Sequence, residues 1–484
     1  MVEIHREVER KYDVDPSFRL PALDGHGHLG EPATLRLEAT YYDTADHRLA
    51  AARTTLRRRT GGTDAGWHLK LPAEGGARDE IREPPDGDDV PAPLAALARA
   101  ATRGAELRPV VRLVTERTVS ELVGPTGDTL VEVADDRVTA HVLGPADETT
   151  SWREVEVELA AGPPELLEAV ERCLRKAGAV PAASGSKLAR ALGGRVVPPR
   201  PPGRKSSAGE VLGAYLREQV DALVAQDPRV RLDRHDSVHR MRVATRRLRS
   251  VLAAYRPLFD RTVTEPLRAE LRWLGAVLGE ARDAEVLHAR LRALAESEPD
   301  DLLLGPVLAR IDADLGGRYR EAHGAALEAL DSDRYLALLT GLDALTPSGR
   351  RKRILRRLDR ARARVRKAAA AADAAPPEGR DAALHEVRKA AKRTRYAAEA
   401  ARSARGRPAT RRAKRLAKRM KALQGLLGEH HDTVAAREVL RTMGAQAYLA
   451  GENGFSFGRL HALEERRGED LLREYPRLRR AALR

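Results

Sequence analysis

Apolar and polar residues alternate in short runs over the first 190 positions, and then the period changes. Residues 2–13, 33–42, 53–59, 67–71, 110–123, 129–134 and 152–159 repeat every second position, with clusters of Gly, Pro and Asp between them. A period of two predicts strands, and turn residues at this spacing predict antiparallel connections. Two stretches, about 93–102 and 164–177, switch to three- and four-residue spacing. The second opens on Pro164 and stops at Gly178, as a helix does. From Ser207 onward the helical period holds through 207–226, 235–255, 265–295, 350–372 and 381–404, broken by turn signals at 346–349 and 376–377. The pattern predicts an α+β domain dominated by antiparallel strands, then an all-α helix-bundle domain.

Composition sharpens that division. Residues 195–205 are rich in Pro and Gly and read as a short semi-rigid linker between domains at 1–194 and 206–484. The first 200 residues carry 33 acidic and 27 basic residues, a net −6; residues 201–484 carry 38 and 59, a net +21. All the excess positive charge therefore lies in the helical part, which favours a polyanionic partner there. The single cysteine, Cys173, excludes an internal disulfide framework and a zinc site built on several cysteines. No run approaches the ~18 apolar residues of a membrane span, and the charged start Glu3-Ile4-His5-Arg6-Glu7 has no apolar signal core. The expectation is a soluble cytoplasmic protein.

The helical part repeats itself. The segment from Val238 to Arg249 matches the segment from Leu384 to Arg395, about 146 residues on; each has a His followed by bases at +3, +7, +8 and +10. The segment from Leu274 to Asp283 likewise matches the one from Leu423 to Asp432. Two motifs in one order at nearly one offset point to duplication, with halves at 206–346 and 350–484. At about 100° per residue, His239, Arg242, Arg246 and Arg249 fall within roughly 80° of one helix face. His385, Arg388, Lys392 and Arg395 form the same stripe. Like charges at i,i+4 repel, so each stripe calls for an anion. On these residues the second part resembles the CHAD family of conserved-histidine α-helical domains. The resemblance implies two pseudo-symmetric four-helix bundles, with inorganic polyphosphate bound in a groove lined by those eight residues. The matched Gly and Asp residues are read as packing and capping groups.

Chemistry in the first part starts at Glu7-Val8-Glu9-Arg10-Lys11. On a strand Glu7, Glu9 and Lys11 share one face, where two carboxylates can hold a hard divalent cation and the ammonium a phosphate. The same alternation recurs at Arg57 and Arg59, Lys70, Arg117, Asp135, Glu154, Glu156 and Glu158, and Lys187. Charge on one face of many strands fits a closed barrel with a charged bore. These residues resemble the CYTH family of triphosphate tunnel metalloenzymes, whose signature is the Glu-x-Glu-x-Lys start. The resemblance implies an eight-stranded antiparallel barrel open at both ends. It gives Glu7, Glu9, Glu156 and Glu158, with Asp135 nearby, to Mg²⁺ or Mn²⁺. It gives Lys11, Arg57, Arg59, Lys70, Arg117 and Lys187 to phosphate oxygens, and Glu7, Glu9 and Lys11 to catalysis.

The leading reading is a metal-dependent triphosphatase that splits inorganic triphosphate into pyrophosphate and phosphate. Its helical domain binds long-chain polyphosphate, which would allow association with polyphosphate granules. An organic-triphosphate hydrolase (thiamine triphosphate or nucleotide) or an adenylyl cyclase would use the same tunnel, and a non-catalytic polyphosphate binder is the alternative from another class. A nucleic-acid binder ranks last, because the +21 half shows no aromatic stacking platform or groove-reading motif. Oligomeric state is not legible in the sequence.

Overall fold

The structure, a computed structural model, describes residues 4–23, 25–144, 148–196, 201–203, 206–347, 352–402 and 407–483. Most of the predicted linker (197–200 and 204–205) and the break between the repeats at 348–351 lie outside the described residues. The chain forms two compact units, Met1–Pro198 and Pro199–Arg484.

In the first unit the strands are β1 (Ile4–Glu7), β2 (Glu9–Asp13), β3 (His28–Leu29), β4 (Ala33–Asp43), β5 (Thr55–Thr60), β6 (Gly66–Pro72), β7 (Arg78–Glu83), β8 (Arg108–Val123), β9 (Thr129–Val142), β10 (Glu148–Leu159) and β11 (Val180–Pro181). The helices are α1 (Arg48–Ala51), α2 (Ala92–Thr102), α3 (Glu165–Lys176) and α4 (Lys187–Leu192). The sheet runs β1-β7-β6-β5-β4-β8-β9-β10-β2-β11, with β3 on β8 and every pairing antiparallel. β1 and β2 are one extended segment interrupted only at Val8. That segment pairs with β7 through β1 and with β10 through β2, so the sheet closes into an eight-stranded barrel.

Alternation then sorts the side chains. Outward residues Tyr12, Val131, Val133, Val155 and Val157 form a core under α3 with Leu166, Leu167, Val170 and Leu174. Inward residues change character along the bore. At one end Tyr41, Val111, Leu113, Val138, Ala140 and Val142 pack against Leu188, Ala191 and Leu192 of α4, with Trp152 beside them. That end is therefore filled, and the expectation of a bore open at both ends does not hold. Further along, the inward residues are charged.

Among the strands, β7 was not predicted and β9 was predicted too short. β7, Arg78-Asp79-Glu80-Ile81-Arg82-Glu83, has one apolar residue in six, because its inward side is charged and its outward side only partly covered. β9 continues past Ala134 through Asp135-Asp136-Arg137 to Val142, held by β8 and β10 on its two sides.

The second unit is helical: α5 (Ala208–Arg231), α6 (Ser237–Ala254), α7 (Arg261–Glu296), α8 (Val307–Asp331), α9 (Asp333–Asp343), α10 (Lys352–Asp373), α11 (Pro377–Arg402), α12 (Arg407–Leu449) and α13 (Phe455–Leu483). Helices α5–α8 pack in sequence as one bundle, with the short α9 added, and α10–α13 as the other. The repeat pairs α6 with α11 and α7 with α12. The second bundle has its own core, from Val365 and Ala369 through Val387, Met420 and Leu427 to Tyr475. The two halves also share a core in which Leu291, Ile311 and Leu315 meet Leu440, Met443, Phe457 and Leu460. Helices α6 and α11 pack directly on each other, and the Tyr255 hydroxyl donates to the Ala397 carbonyl across that contact at 2.7 Å. Among the described residues no helix is long and apolar enough to cross a membrane.

Candidate functional site

Strand register stacks the bore into rows. One row is Arg117, Asp136, Glu154 and Asp13; the next is Val119, Ala134, Glu156 and Lys11; the next is Glu121, Glu132, Glu158 and Glu9. Glu7 follows Glu9 on the same face and meets Lys70 at 2.5 Å. Acids thus dominate the wall formed by β9, β10 and the β1/β2 segment. Arg57, Arg59, His68, Lys70 and Arg82 line the wall of β5–β7, where Glu80 is the buried counter-charge. Glu80 sits 2.9 Å from His68, 3.4 Å from Lys70 and 3.8 Å from Arg57. The hydrogen bond to His68 and the charges of Lys70 and Arg57 hold its carboxyl far below the usual range against the cost of burial.

The acidic wall has two parts with opposite electrostatics. Asp136, Glu154 and Glu156 place one oxygen each within 4.8 Å of the others, a group that could hold a metal ion. The Lys187 ammonium, on the first residue of α4, lies 2.8, 2.9 and 2.6 Å from them. Arg117 adds two hydrogen bonds to Asp136 and one to Glu156, and Lys11 also pairs with Glu156. Burial opposes ionisation of Glu156, but Lys11, Lys187 and Arg117 outweigh it and keep the carboxyl well below its ordinary value. One row away the balance reverses. Burial, then Glu7, Glu9 and Glu132, push Glu158 up to about 7 although Lys70 is near. Burial raises Glu7 too, against Lys70 and with Glu80 and Glu9. Glu9 is held low because Lys11 and Lys70 overcome its burial. Glu158 and Glu132 form the part of the wall short of positive charge.

On the basic wall Glu80 answers Arg57 and Arg82 and raises both, but Arg59 is short of negative charge. Burial and then Arg57 push Arg59 down to about 10, with Arg117 adding to the effect and Asp64 only partly offsetting it. Tyr41 accepts from Arg57 at 3.4 Å; burial would raise its phenol, but Arg57, Lys187 and Lys70 hold it below its usual value.

Glu7, Glu9, Lys11, Arg57, Arg59, Lys70, Arg117, Glu156, Glu158 and Lys187 therefore face one bore. Asp135 does not. It shares the outward face of Val131 and Val133 and is bridged by Arg153 at 2.6 Å. The expectation that placed Asp135 by the carboxylates is corrected to Asp136, one residue on and on the other face. The alternation of Val131 and Val133 already carried that parity. Glu80 and Glu132 were missed for another reason: the first lies on the unrecognised β7, and the second sits among valines.

In the helical unit the two stripes converge. Lys392 of α11 is pushed down to about 7, first by burial and then by Arg246, Arg388, Arg242 and Arg249, three of them on α6. Burial, then Arg242 and Arg388, likewise lower Arg246 although Tyr396 opposes, and Arg249 is lowered by burial, Arg272 and Arg393. Among the described residues, Nε of Arg246, Nε of Arg388 and Nδ1 of His385 are buried without a hydrogen-bond partner. His239 and His385 flank this region; burial lowers both, aided by Arg282 for the first and His431 for the second. Arg395 is bound by Glu399 at 2.8 Å and Gln424 at 3.1 Å.

The second repeat motif proves to be the support of the first. A Cβ at Gly279 would lie 3.2 Å from the Arg242 guanidinium, and one at Gly428 would lie 3.6 Å from that of Arg388. Each glycine makes room for a stripe arginine. Asp283 pairs with Arg242 at 2.6 Å from the middle of α7, so it is no helix cap.

Family models match both units: a CYTH domain over residues 5–192 and a CHAD domain over residues 214–441. An uncharacterized protein of Mycobacterium tuberculosis, Rv2226 in strain H37Rv and MT2285 in strain CDC 1551, is 40% identical over 488 residues, covering 95% of this chain and 93% of its own. Among solved structures, PptA from Streptomyces chartreusis is 22% identical, with a TM-score of 0.46 over 56% of this chain and 99% of its own. A CHAD domain from the plant Ricinus communis is 24% identical, with a TM-score of 0.44 over 59% and 96%. The adenylyl cyclase-like HpAC1 from Hippeastrum, described as having a dominant triphosphatase activity, is 21% identical, with a TM-score of 0.25 over 40% and 98%. With a full-length relative at this identity and both domain models in the same order, the chain belongs to the proteins that join an N-terminal CYTH domain to a C-terminal CHAD domain.

Proposed function

We propose that the barrel hydrolyses inorganic triphosphate with a divalent cation and that the helical unit binds long-chain inorganic polyphosphate. One observation carries the reading: each wall of the bore keeps a charge its neighbours do not meet, Arg59 on the basic side and Glu158 on the acidic side. An arginine depressed to about 10 faces carboxylates of which one is raised to about 7. A metal triphosphate satisfies both, with phosphate oxygens on the basic wall and the cation on the acidic one.

The carboxylates fit Mg²⁺ or Mn²⁺. Glu7, Glu9, Glu156 and Glu158 supply only oxygen ligands, and Glu158 lacks enough positive neighbours to ionise readily. Glu132 joins them, and Asp136 stands where Asp135 was expected. When bound, the cation supplies charge neutralisation of the phosphates and activation of water. The remaining work falls to this chain's cations. Arg57, Arg59 and Arg117 present forked donors to phosphate oxygens, and Lys11, Lys70 and Lys187 present point charges. They hold the terminal phosphorus in one position and stabilise charge gathering on the leaving pyrophosphate. Water attacks, the bridging P–O bond breaks, and orthophosphate and pyrophosphate leave. Lys187 and Arg117 exchange carboxylate partners for phosphate as substrate enters.

The filled end at α4 favours a substrate that ends in phosphate on that side. Inorganic triphosphate does so at both ends, whereas nucleotides and thiamine triphosphate must keep their organic group at the other mouth. The deciding experiment is phosphate release from tripolyphosphate, ATP, thiamine triphosphate and long-chain polyphosphate with Mg²⁺ or Mn²⁺, in wild type and Glu9→Ala. The reading expects tripolyphosphate to be the preferred substrate and the variant to lose at least ~100-fold. Near wild-type turnover by Glu9→Ala at saturating metal would remove the assignment.

For the groove, binding is expected to exceed that of duplex DNA at matched phosphate and to fall steeply with salt, as released counterions require. Replacing Arg242, Arg246, Arg388 and Lys392 with Ala should weaken it far more than replacing four exposed bases of α13, Arg466, Arg473, Arg477 and Arg480. Equal losses would mean diffuse attraction and no groove.

A further inference from the structure

The stripe in the second repeat departs from the first at one position that changes its chemistry: Arg246 is matched by Lys392. Arginine stays charged in proteins, but an amine can lose its proton and become a nucleophile. Lys392 is partly exposed, and among the described residues it has no hydrogen-bond or ion-pair partner. Its charged neighbours are Arg388 on its own helix and Arg242, Arg246 and Arg249 on α6, with His431 of α12 also facing it. None of these offers an anion. The other lysines nearby differ: Lys389 is tied to Glu386, and Lys414, Lys418 and Lys421 are exposed on α12.

We propose that Lys392 is an acyl-acceptor site for small acyl phosphates, and that its acylation removes a charge from the groove. The proposal rests on the reading of the groove as a phosphate-binding surface. An acyl phosphate brings a dianionic group that Arg246 and Arg388 can hold, with its carbonyl carbon beside the Lys392 amine. The Nζ lone pair attacks that carbon, and the N–C amide bond forms. The C–O bond to phosphate breaks, inorganic phosphate leaves with the electron pair, and the surplus amine proton passes to water. No oxidant or reductant is needed. An ordinary lysine is neutral in roughly one molecule per thousand at pH 7.5. The crowding of guanidinium groups around Lys392 makes the neutral amine abundant there. Bound polyphosphate would supply the missing anion, recharge the amine and cover it.

The test treats full-length protein with acetyl phosphate at pH 7.5 and follows each lysine by peptide mass spectrometry, with polyphosphate binding measured on the same preparation. Lys392 should be acetylated at least about tenfold faster than Lys414, Lys418 or Lys421. Long-chain polyphosphate should protect it, and the acetylated protein should bind polyphosphate several-fold more weakly. Lys392→Arg should lose the fast site, and no other lysine should take its place. Intact polyphosphate binding with no preference for Lys392 overturns the proposal and leaves the groove reading standing. Absent polyphosphate binding overturns the groove reading itself. Equal selectivity from a neutral acetyl thioester would overturn the assignment of acyl phosphates as donors.

Discussion

Glu158 shows how much a single residue can report. Its carboxyl is raised to about 7 by burial and by Glu7, Glu9 and Glu132, so the metal-free barrel holds a proton that the unfolded chain releases near 4.3. Between those values the folded state binds more protons, and stability falls as pH rises through the window. Above pH 7 the strain is fully present. Glu158→Gln should therefore raise the melting temperature of the metal-free barrel at pH 8 and change it little at pH 4. Mg²⁺ or Mn²⁺ should stabilise wild type at pH 8 and stabilise Glu158→Gln much less, because binding to the native state alone raises stability by mass action. Equal metal shifts in the two proteins, read by differential scanning fluorimetry, would take Glu158 out of the cation site. Most charged bore positions were legible at this scale, because strand parity puts alternate residues on one face. The error at Asp135 came from taking the nearest acid without continuing the parity of Val131 and Val133 by one step. Glu80 was hidden because the segment around it has too few apolar residues to announce a strand.

Among the elements, the two motifs of the repeat belong together. The His-led helices α6 and α11 carry the stripes, and the glycines of α7 and α12 open the space into which the stripe arginines reach. The sequence displayed both motifs and their shared offset. It could not show that one supports the other, because that contact joins residues about 40 apart on different helices. A test follows at Gly279, where a Cβ would meet the Arg242 guanidinium at 3.2 Å. Gly279→Leu keeps the helix, since leucine is a better helix former by up to about 1 kcal/mol. Its bulk should displace Arg242 from the groove and lower polyphosphate affinity several-fold without loss of helical circular dichroism. Gly428→Ala is the contrast. Its added methyl would make ordinary contact with Arg388 at 3.6 Å, so binding should hold and stability should rise by up to about 1 kcal/mol. Unchanged binding by Gly279→Leu would show that the glycine serves only helix packing. The short α4 is an element the sequence pattern did not flag. It is six residues long, and its apolar face is read only when the inward residues of β8 and β9 are known.

For the whole molecule, the two units carry opposite charge balance and bind different anions in the proposed reading. Each has a core of its own, the first under α3 and around α4, the second between and within the bundles. A protein built this way should not melt as one two-state unit. Full-length protein is expected to show two calorimetric transitions. Long-chain polyphosphate should raise only the one that survives in a fragment of residues 206–484. Tripolyphosphate with Mg²⁺ should raise only the one that survives in a fragment of residues 1–196. At a ligand concentration ~100 times its Kd, mass action adds about 2.7 kcal/mol to the unit that binds it, enough to move a transition by several degrees. The fragments also divide the activities: the first should release phosphate from tripolyphosphate at the full-length rate, and the second should bind polyphosphate without hydrolysing it. The measurement separates three architectures. Two transitions with separate ligand responses mean independent modules on one chain. A single transition raised by either ligand would mean that the units unfold together. Hydrolysis lost on separation, with both fragments folded, would mean that the helical unit contributes to the tunnel's chemistry, and the assignment of catalysis to the barrel's own residues would fail.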